Sequence, residues 1–271
     1  MLKTQNLRLK GAGIVVTRPL AQAGKLSTLI NDQGGKTISF PLIDILPLQD
    51  YSAFDTTIKK ITSYDWAVFI SSNAVKNGMP RVLKQYPALP PCLKFSAIGP
   101  VTASELLAYG ISNVLIPNNR FDSESLLSLP EMYAMQGKKV MVFRGIGGRE
   151  VLADTLTSRG ANVTFAECYQ RVNPQTSCVM LEELWRNGQC HAIVVTSSEA
   201  MRYLLQMTNH ANNEWLCNIK ICVNHARIAE EAKALATHLQ IHIADAPGDA
   251  AMLTCLEACL QGSIHTALSL L

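Results

Sequence analysis

A chain that matches itself at one fixed offset must build the same supersecondary unit twice, and this chain does so over most of its 271 residues. Ile14-Val15-Val16-Thr17-Arg18 returns as Val140-Met141-Val142-Phe143-Arg144, from position 14 to position 140, an offset of 126 residues. In both places an arginine closes an apolar strand. Residues 31–40 resemble residues 157–165, each with a glycine that stops a helix and an alternating strand after it. Residues 67–74 return as 193–200, Ala97-Ile98-Gly99 is matched by Cys222-Val223-Asn224, and residues 122–127 are echoed by 248–253. The matches keep their order and nearly the same spacing throughout.

Each copy reads as strand, helix, strand, then helix, strand, helix, strand, helix, and the strands are almost continuous Val, Ile and Phe. Buried strands that alternate with helices predict an α/β fold with parallel sheets covered on both faces. Helical period supports this: in residues 148–156, positions 152, 155 and 156 share one face. A hydrophobic content of 48% over this length is enough for two medium cores. Two extended segments closed by proline, 40–48 and 165–174, occupy equivalent places in the two copies and read as interdomain crossings. The expected organisation is a discontinuous first domain, 1–41 with 174–271, and a second domain, 50–166, inserted into it. Linkers at 42–49 and 167–173 would form a two-stranded β-ribbon.

No apolar run approaches the roughly 18 residues of a membrane span, so no membrane partner is expected. The N-terminus MLKTQNLRLK lacks the apolar core and small-residue cleavage site of a secretory leader, which makes the cytoplasm the expected location. A dispersed net charge of +3 argues against nucleic acid and suits a small acidic ligand. The eight cysteines lack C-x-x-C spacing and read as reduced, structural thiols. Only Cys255 and Cys259 lie one helical turn apart, and helix packing explains them better than a metal does.

Open parallel sheets collect ligands outside the carboxyl ends of their strands, where loops lead into helix N-termini. Those loops hold Thr17-Arg18-Pro19, Ser71-Ser72-Asn73, Gly99-Pro100-Val101-Thr102, Arg144-Gly145-Ile146-Gly147-Gly148-Arg149, Thr196-Ser197-Ser198-Glu199 and Asn224-His225-Ala226-Arg227. Hydroxyls, glycines and arginines there set side-chain donors beside unpaired backbone N–H groups, which attract carboxylate or phosphate. A single such loop could be an ordinary N-cap. The recurrence in both copies points to an anion. Arg144-Gly145-Ile146-Gly147-Gly148 superficially resembles a dinucleotide fingerprint, but Glu150 stands where a third glycine is required. There is no Walker sequence, no G-x-S-x-G elbow and no H-E-x-x-H. Of six histidines only His225 falls at a strand-to-helix turn, where a structural or substrate contact is favoured over a metal ligand. No metal and no cofactor are expected.

A set of short segments then carries a resemblance. They are Val16-Thr17-Arg18-Pro19, Phe40-Pro41-Leu42-Ile43, residues 65–75, Ala97-Ile98-Gly99-Pro100, Arg144-Gly145 with Gly147-Gly148-Arg149-Glu150, Val195-Thr196-Ser197, and Arg227-Ile228-Ala229-Glu230. In this order and spacing, from about Gly13 to Leu260, the chain resembles the uroporphyrinogen-III synthase family. The resemblance implies two flavodoxin-like or Rossmann-like domains joined by a β-ribbon, the first built from both chain ends, with the active cleft between them. It implies a small-molecule substrate, hydroxymethylbilane, a linear tetrapyrrole bearing acetate and propionate carboxylates, handled by a monomeric cytoplasmic enzyme of haem biosynthesis. The family's reaction, that of a cyclising hydro-lyase, expels the terminal hydroxyl as water to give an azafulvene. Ring D attacks it through its already substituted α-carbon, and fragmentation of the spiro intermediate followed by reclosure inverts that ring. No redox change occurs, so no cofactor is needed, and positioning should dominate.

By the same resemblance Tyr169 matches a tyrosine suited to protonate the leaving hydroxyl, directly or through water. The alternative is an aromatic wedge that packs the hinge. Thr102 corresponds to a threonine that lines the cleft, and Ser71, Thr196 and Ser197 to positions that bond side-chain carboxylates. Arg18, Arg144 and Arg149 would add charge, with exposed ion pairs as the alternative. Thr17, Ser72, His225 and Arg227 complete the expected substrate-binding set. One departure is Asn224-His225-Ala226-Arg227, where some members have a Gly-Pro-Thr-Thr type turn; Arg227 would replace the threonine contact. Two rival readings share the architecture: a non-catalytic two-domain protein closing on an anion, and a two-domain glycosyltransferase holding a nucleotide sugar on the Gly145 to Gly148 loop.

Overall fold

The structure, a computed structural model, describes residues 7–118, 120–209 and 214–268. Most of the N-terminal stretch read above for a leader, residues 1–6, and the last three residues of the tail lie outside the described residues.

In chain order the elements are β1 Gly13–Val16, α1 Leu20–Asp32, β2 Lys36–Ser39, β3 Asp44–Pro47, α2 Ser52–Ile58, β4 Trp66–Phe69, α3 Ser72–Gln85, β5 Lys94–Ala97, α4 Pro100–Leu107 and β6 Val114–Leu115. There follow α5 Ser123–Leu127, β7 Lys139–Gly145, α6 Val151–Ser158, β8 Asn162–Val172, α7 Val179–Arg186, β9 Ala192–Val195, α8 Ser198–Met207, α9 Glu214–Asn218, β10 Lys220–Val223, α10 Ala226–Leu235, β11 Gln240–Ile243 and α11 Asp249–Leu268. They divide into two compact units. One takes the described residues up to Asp44 together with those from Val172 onward; the other is Ile45–Arg171.

The first unit is a five-stranded sheet in the order β11-β10-β9-β1-β2, with parallel pairing at every step. Strand β1 is buried at all four positions, as a strand covered on both faces must be. Helix α1 buries Ala23, Leu26 and Ile30, one stripe at helical spacing. Each such Leu or Ile side chain is worth about 1.5–3 kcal/mol when fully removed from water. Against them pack Ile14, Val16, Val194 and Cys222 of the sheet and Met252, Leu256 and Leu260 of α11. Gly13 is there because nothing larger fits: a Cβ would lie 1.6 Å from the carbonyl oxygen of Gln189.

The second unit is a six-stranded sheet in the order β3-β8-β7-β4-β5-β6. Phe69 and Phe143 stack face to face on neighbouring strands, with ring centroids 4.2 Å apart. Helix α3 lies over them and brings Gly78 against the Phe143 ring, where a Cβ would stand 3.1 Å from a ring carbon. Its Pro80 lacks an N–H, yet the helix continues to Gln85 because Met79 and Val82 are wholly buried in this core.

Both sheets follow one plan. By the repeat, β1 and β2 correspond to β7 and β8, and β9, β10 and β11 correspond to β4, β5 and β6. Each sheet therefore unites the first two strands of one copy with the last three of the other, in the same lateral order. The second extended segment is strand for most of its length: residues 165–172 continue β8, an eleven-residue strand beside the edge strand β3, and the chain passes from one unit to the other at its end, between Arg171 and Val172.

Candidate active site

In the second unit, Tyr169 stands on β8 opposite Gly145 of β7, at a register shift between Arg144 and Gly145. A Cβ at Gly145 would lie 2.6 Å from the tyrosine ring. The bare glycine lets the ring lie across β7, and the hydroxyl comes to 3.2 Å from Ser71 Oγ, in the turn after β4. Ser71 is the N-cap of α3, and its Oγ accepts the Ala74 N–H at 3.1 Å. Tyr169 is 3% exposed. Both readings of this residue meet here, since the ring belongs to the core while the hydroxyl is held by a helix cap at the carboxyl edge of the sheet.

Arg144 is turned inward. Its guanidinium lies 4.4 Å above the Phe165 ring and donates to the carbonyls of Gly145, at 3.2 Å, and Gly147. Burial, only partly countered by Glu167 and Glu150, holds its pKa below the usual arginine value. It therefore ties the glycine loop together and does not form an exposed ion pair. Gly147 and Gly148 take φ of +67° and +99°, left-handed backbone that suits glycine. The Gly147 N–H donates to Glu167 Oε1 at 3.1 Å, so this amide already faces a carboxylate where a pyrophosphate would have to sit. Arg149 pairs with Glu124 on the surface. Thr102 is buried in the first turn of α4, and Ser72, partly buried, opens α3.

Sequence reasoning passed over the apolar part of this edge. Phe121 packs on Gly99, where a Cβ would lie 2.9 Å from the Phe121 Cβ, and it remains 53% exposed, as do Val101 and Ile146 in similar degree. Apolar residues in loops that feed polar helix starts were the signal available for them. A cavity of about 270 Å³ adjoins this edge through Ile146 and is otherwise lined by residues that include Leu48, Phe54, Phe165, Glu167 and Gln170; none of the site residues expected from the sequence lines it.

In the first unit, the turn after β1 is fixed to the turn after β9. Thr17 is buried and donates from Oγ1 to the Val194 carbonyl at 2.8 Å. Arg18 donates from Nε to Thr196 Oγ1 at 3.2 Å and from Nη1 to Asp249 Oδ1 at 2.5 Å. Asp249, which opens α11, was not singled out in the sequence. Ser197 caps α8 by accepting the Ala200 N–H at 3.1 Å. His225 is exposed at the N-cap of α10 and makes no capping bond with its side chain. Arg227 points along its own helix to Glu231 at 3.6 Å, an exposed pair worth a few tenths of a kcal/mol. A cavity of about 410 Å³ lies between Asn224, His225 and the segment from Ile243 to Pro247. Among the described residues, Ser198 Oγ and Asn224 Oδ1 are buried atoms without a hydrogen-bond partner, which is unusual in a native interior.

Among the described residues no group of three or more His, Cys, Asp and Glu side chains is arranged to hold a metal ion, and no helix is long and apolar enough to cross a membrane. All eight cysteines are free thiols.

The family model described as uroporphyrinogen-III synthase HemD matches residues 24–254. The uroporphyrinogen-III synthase of Escherichia coli (strain K12) is 32% identical over 90% of this chain and 99% of its own length. That of Salmonella typhimurium is 31% identical over the same shares. Among solved structures, a mutant uroporphyrinogen III synthase of the extremely thermophilic bacterium Thermus thermophilus is similar in fold, with a TM-score of 0.65 at 16% identity, covering 93% of this chain and 100% of that one. The Helicobacter pylori enzyme gives a TM-score of 0.54 at 17% identity, covering 92% and 98%. Neither the anion-binding protein nor the glycosyltransferase is favoured by these findings.

Proposed function

Because the chain belongs to the uroporphyrinogen-III synthase family, we propose that it closes hydroxymethylbilane to uroporphyrinogen III, with loss of water and inversion of ring D. This is the reaction of a carbon–oxygen lyase. We place it in the cytoplasm and assign it to a single chain. The observation that supports a chemical role within the fold is the Tyr169 hydroxyl beside the Ser71 cap.

Loss of the substrate hydroxyl needs a proton, because hydroxide is a poor leaving group from a neutral pyrrole. Ser71 Oγ already accepts the Ala74 N–H, so its own O–H is left to donate to the tyrosine oxygen. The phenolic O–H is then free to donate outward, to the departing hydroxyl or to a water that carries the proton on. Gly145 sets the height of the ring and Ser71 fixes its end, so the donor is oriented before substrate arrives. Ser72, Thr102 and the exposed faces of Val101, Phe121 and Ile146 offer hydroxyls and apolar surface, which suit pyrrole rings that carry acidic side chains. In the first unit Arg18, Thr196, Ser197, His225 and Arg227 carry donors of the kind that carboxylates take, while Thr17 spends its hydroxyl proton on the Val194 carbonyl and holds the turn. Arg144 and Arg149 act indirectly, Arg144 by holding the glycine loop and Arg149 by pairing with Glu124.

The steps rearrange carbon–carbon and carbon–oxygen bonds without net oxidation, so the chemistry asks for positioning and one proton donor. The test is to supply freshly generated hydroxymethylbilane and separate the cyclic products. An excess of the type III isomer is expected; type I alone, the product of unassisted closure, overturns the proposal.

A further inference from the structure

Helix α11 lies against β10, and at that contact three thiols meet. Cys222 of β10 is wholly buried, with its Sγ 3.5 Å from Cys259 Sγ. Cys255, one turn earlier on α11, packs against the same cluster. Cys255 and Cys259 are both partly exposed. Nothing in the proposed reaction uses these groups, and the first unit would need only small apolar side chains to fill the space.

We propose that Cys222 and Cys259 form a reversible oxidation site, closing to a disulfide that ties α11 to β10. The sulfurs need to approach by roughly 1.5 Å to reach the disulfide bond length of about 2.05 Å, a shift within reach of a χ1 rotation and a small slide of the helix. The co-reactant is a hydroperoxide. A hydrogen bond from the Cys222 thiol holds Cys259 below the usual thiol range, and contact with the neighbouring thiols, with burial, holds Cys222 above it. The partly exposed Cys259 is thus the first nucleophile. Its sulfur attacks one peroxide oxygen, the O–O bond breaks, and a sulfenic acid forms as the other oxygen leaves as water. The Cys222 sulfur then attacks the Cys259 sulfur, the S–O bond breaks, and a second water departs with the thiol proton. Two thiols and one hydrogen peroxide become one disulfide and two waters. The two electrons come from the pair of sulfurs.

Three of the other cysteines are placed differently. Cys168 and Cys190 are buried singly, each thiol pushed up to about 12 by burial. Cys92 is exposed in a loop. Cys92 therefore serves as the internal control, since peroxide can reach it without a second thiol hydrogen-bonded to it to trap its sulfenic acid.

The experiment treats the full chain with graded hydrogen peroxide, blocks free thiols under denaturing conditions, and maps peptides by mass spectrometry. The expected result is a Cys222–Cys259 linked peptide that appears no later than oxidation of Cys92 and disappears on treatment with a dithiol reductant. The thermal midpoint of the oxidised chain should rise by several degrees, because the bond closes a long loop of the unfolded chain. The variant Cys259→Ala, at a partly exposed position, should lose both the linked peptide and the rise while its untreated midpoint stays close to that of the parent. Full recovery of blocked Cys222 after Cys92 has been oxidised overturns the proposal, as does a linked peptide that joins Cys222 to Cys255 or to any other cysteine instead of Cys259.

Discussion

Tyr169 shows how one residue serves packing and chemistry at once. Its ring fills the space that Gly145 leaves open, and its hydroxyl rests on the cap of α3. Replacing Tyr169 with Phe keeps the ring and removes one oxygen. The hydrogen bond lost is worth about 1 kcal/mol, a shift of only a few degrees in melting midpoint, whereas loss of a general acid costs about a hundredfold or more in turnover. Steady-state kinetics beside a thermal melt would separate the two, and unchanged turnover would remove Tyr169 from the chemistry. Gly145→Ala should behave differently, lowering turnover and stability together by pushing the ring off Ser71, at a cost of about 1–3 kcal/mol measurable by denaturant titration. Of these features the sequence displayed Tyr169 and Ser71 as types in the right places. It could not display their contact, because residues 98 positions apart meet only when β8, β7 and β4 lie side by side. Arg144 was misleading for a similar reason: an arginine ending a strand looks like a ligand for anions, and only the fold shows its guanidinium bonded to the carbonyls of its own loop.

At the scale of elements, the strands were legible because parallel strands buried on both faces are runs of Val, Ile and Phe, as in Gly13–Val16 and Ala192–Val195. Helix α3 runs through Gly78 and Pro80, both poor helix formers; the close approach of Gly78 to Phe143 and the burial of Met79 outweigh that local preference. The join between β1 and the segment before β9 depends on a titratable group. His191 Nδ1 accepts the Gly13 N–H at 3.0 Å, which requires an unprotonated nitrogen. Burial holds the His191 pKa below the ordinary 6.5. For a histidine with a depressed folded-state pKa, the stabilising contribution is complete above about 6.5 and is lost as pH falls through the lower folded value. Chemical unfolding measured from about pH 7.5 to about pH 5 should therefore show a decline that His191→Gln flattens. An equal decline in that variant would assign the effect to other groups.

At the scale of the whole molecule, the repeat explains both sheets. Each combines the leading strands of one copy with the trailing strands of the other, so the second unit is an unbroken stretch of chain while the first needs both ends. Residues 45–171 expressed alone should accordingly melt in one cooperative transition followed by circular dichroism; a featureless, non-cooperative trace would show that its core depends on the rest. The self-match made this interleaving readable, because the two extended segments fall at equivalent points of the copies. That the later segment is the continuation of β8 was not readable, since a short extended run closed by proline suits a linker and the end of a strand equally. The decisive measurement is the partition of hydroxymethylbilane between type III and type I rings in the presence of the native chain, the Tyr169→Phe chain and no protein. The native chain should yield mainly type III, the variant a mixture that drifts toward type I as unassisted closure overtakes it, and the blank type I. A native chain indistinguishable from the blank would contradict the proposed activity outright.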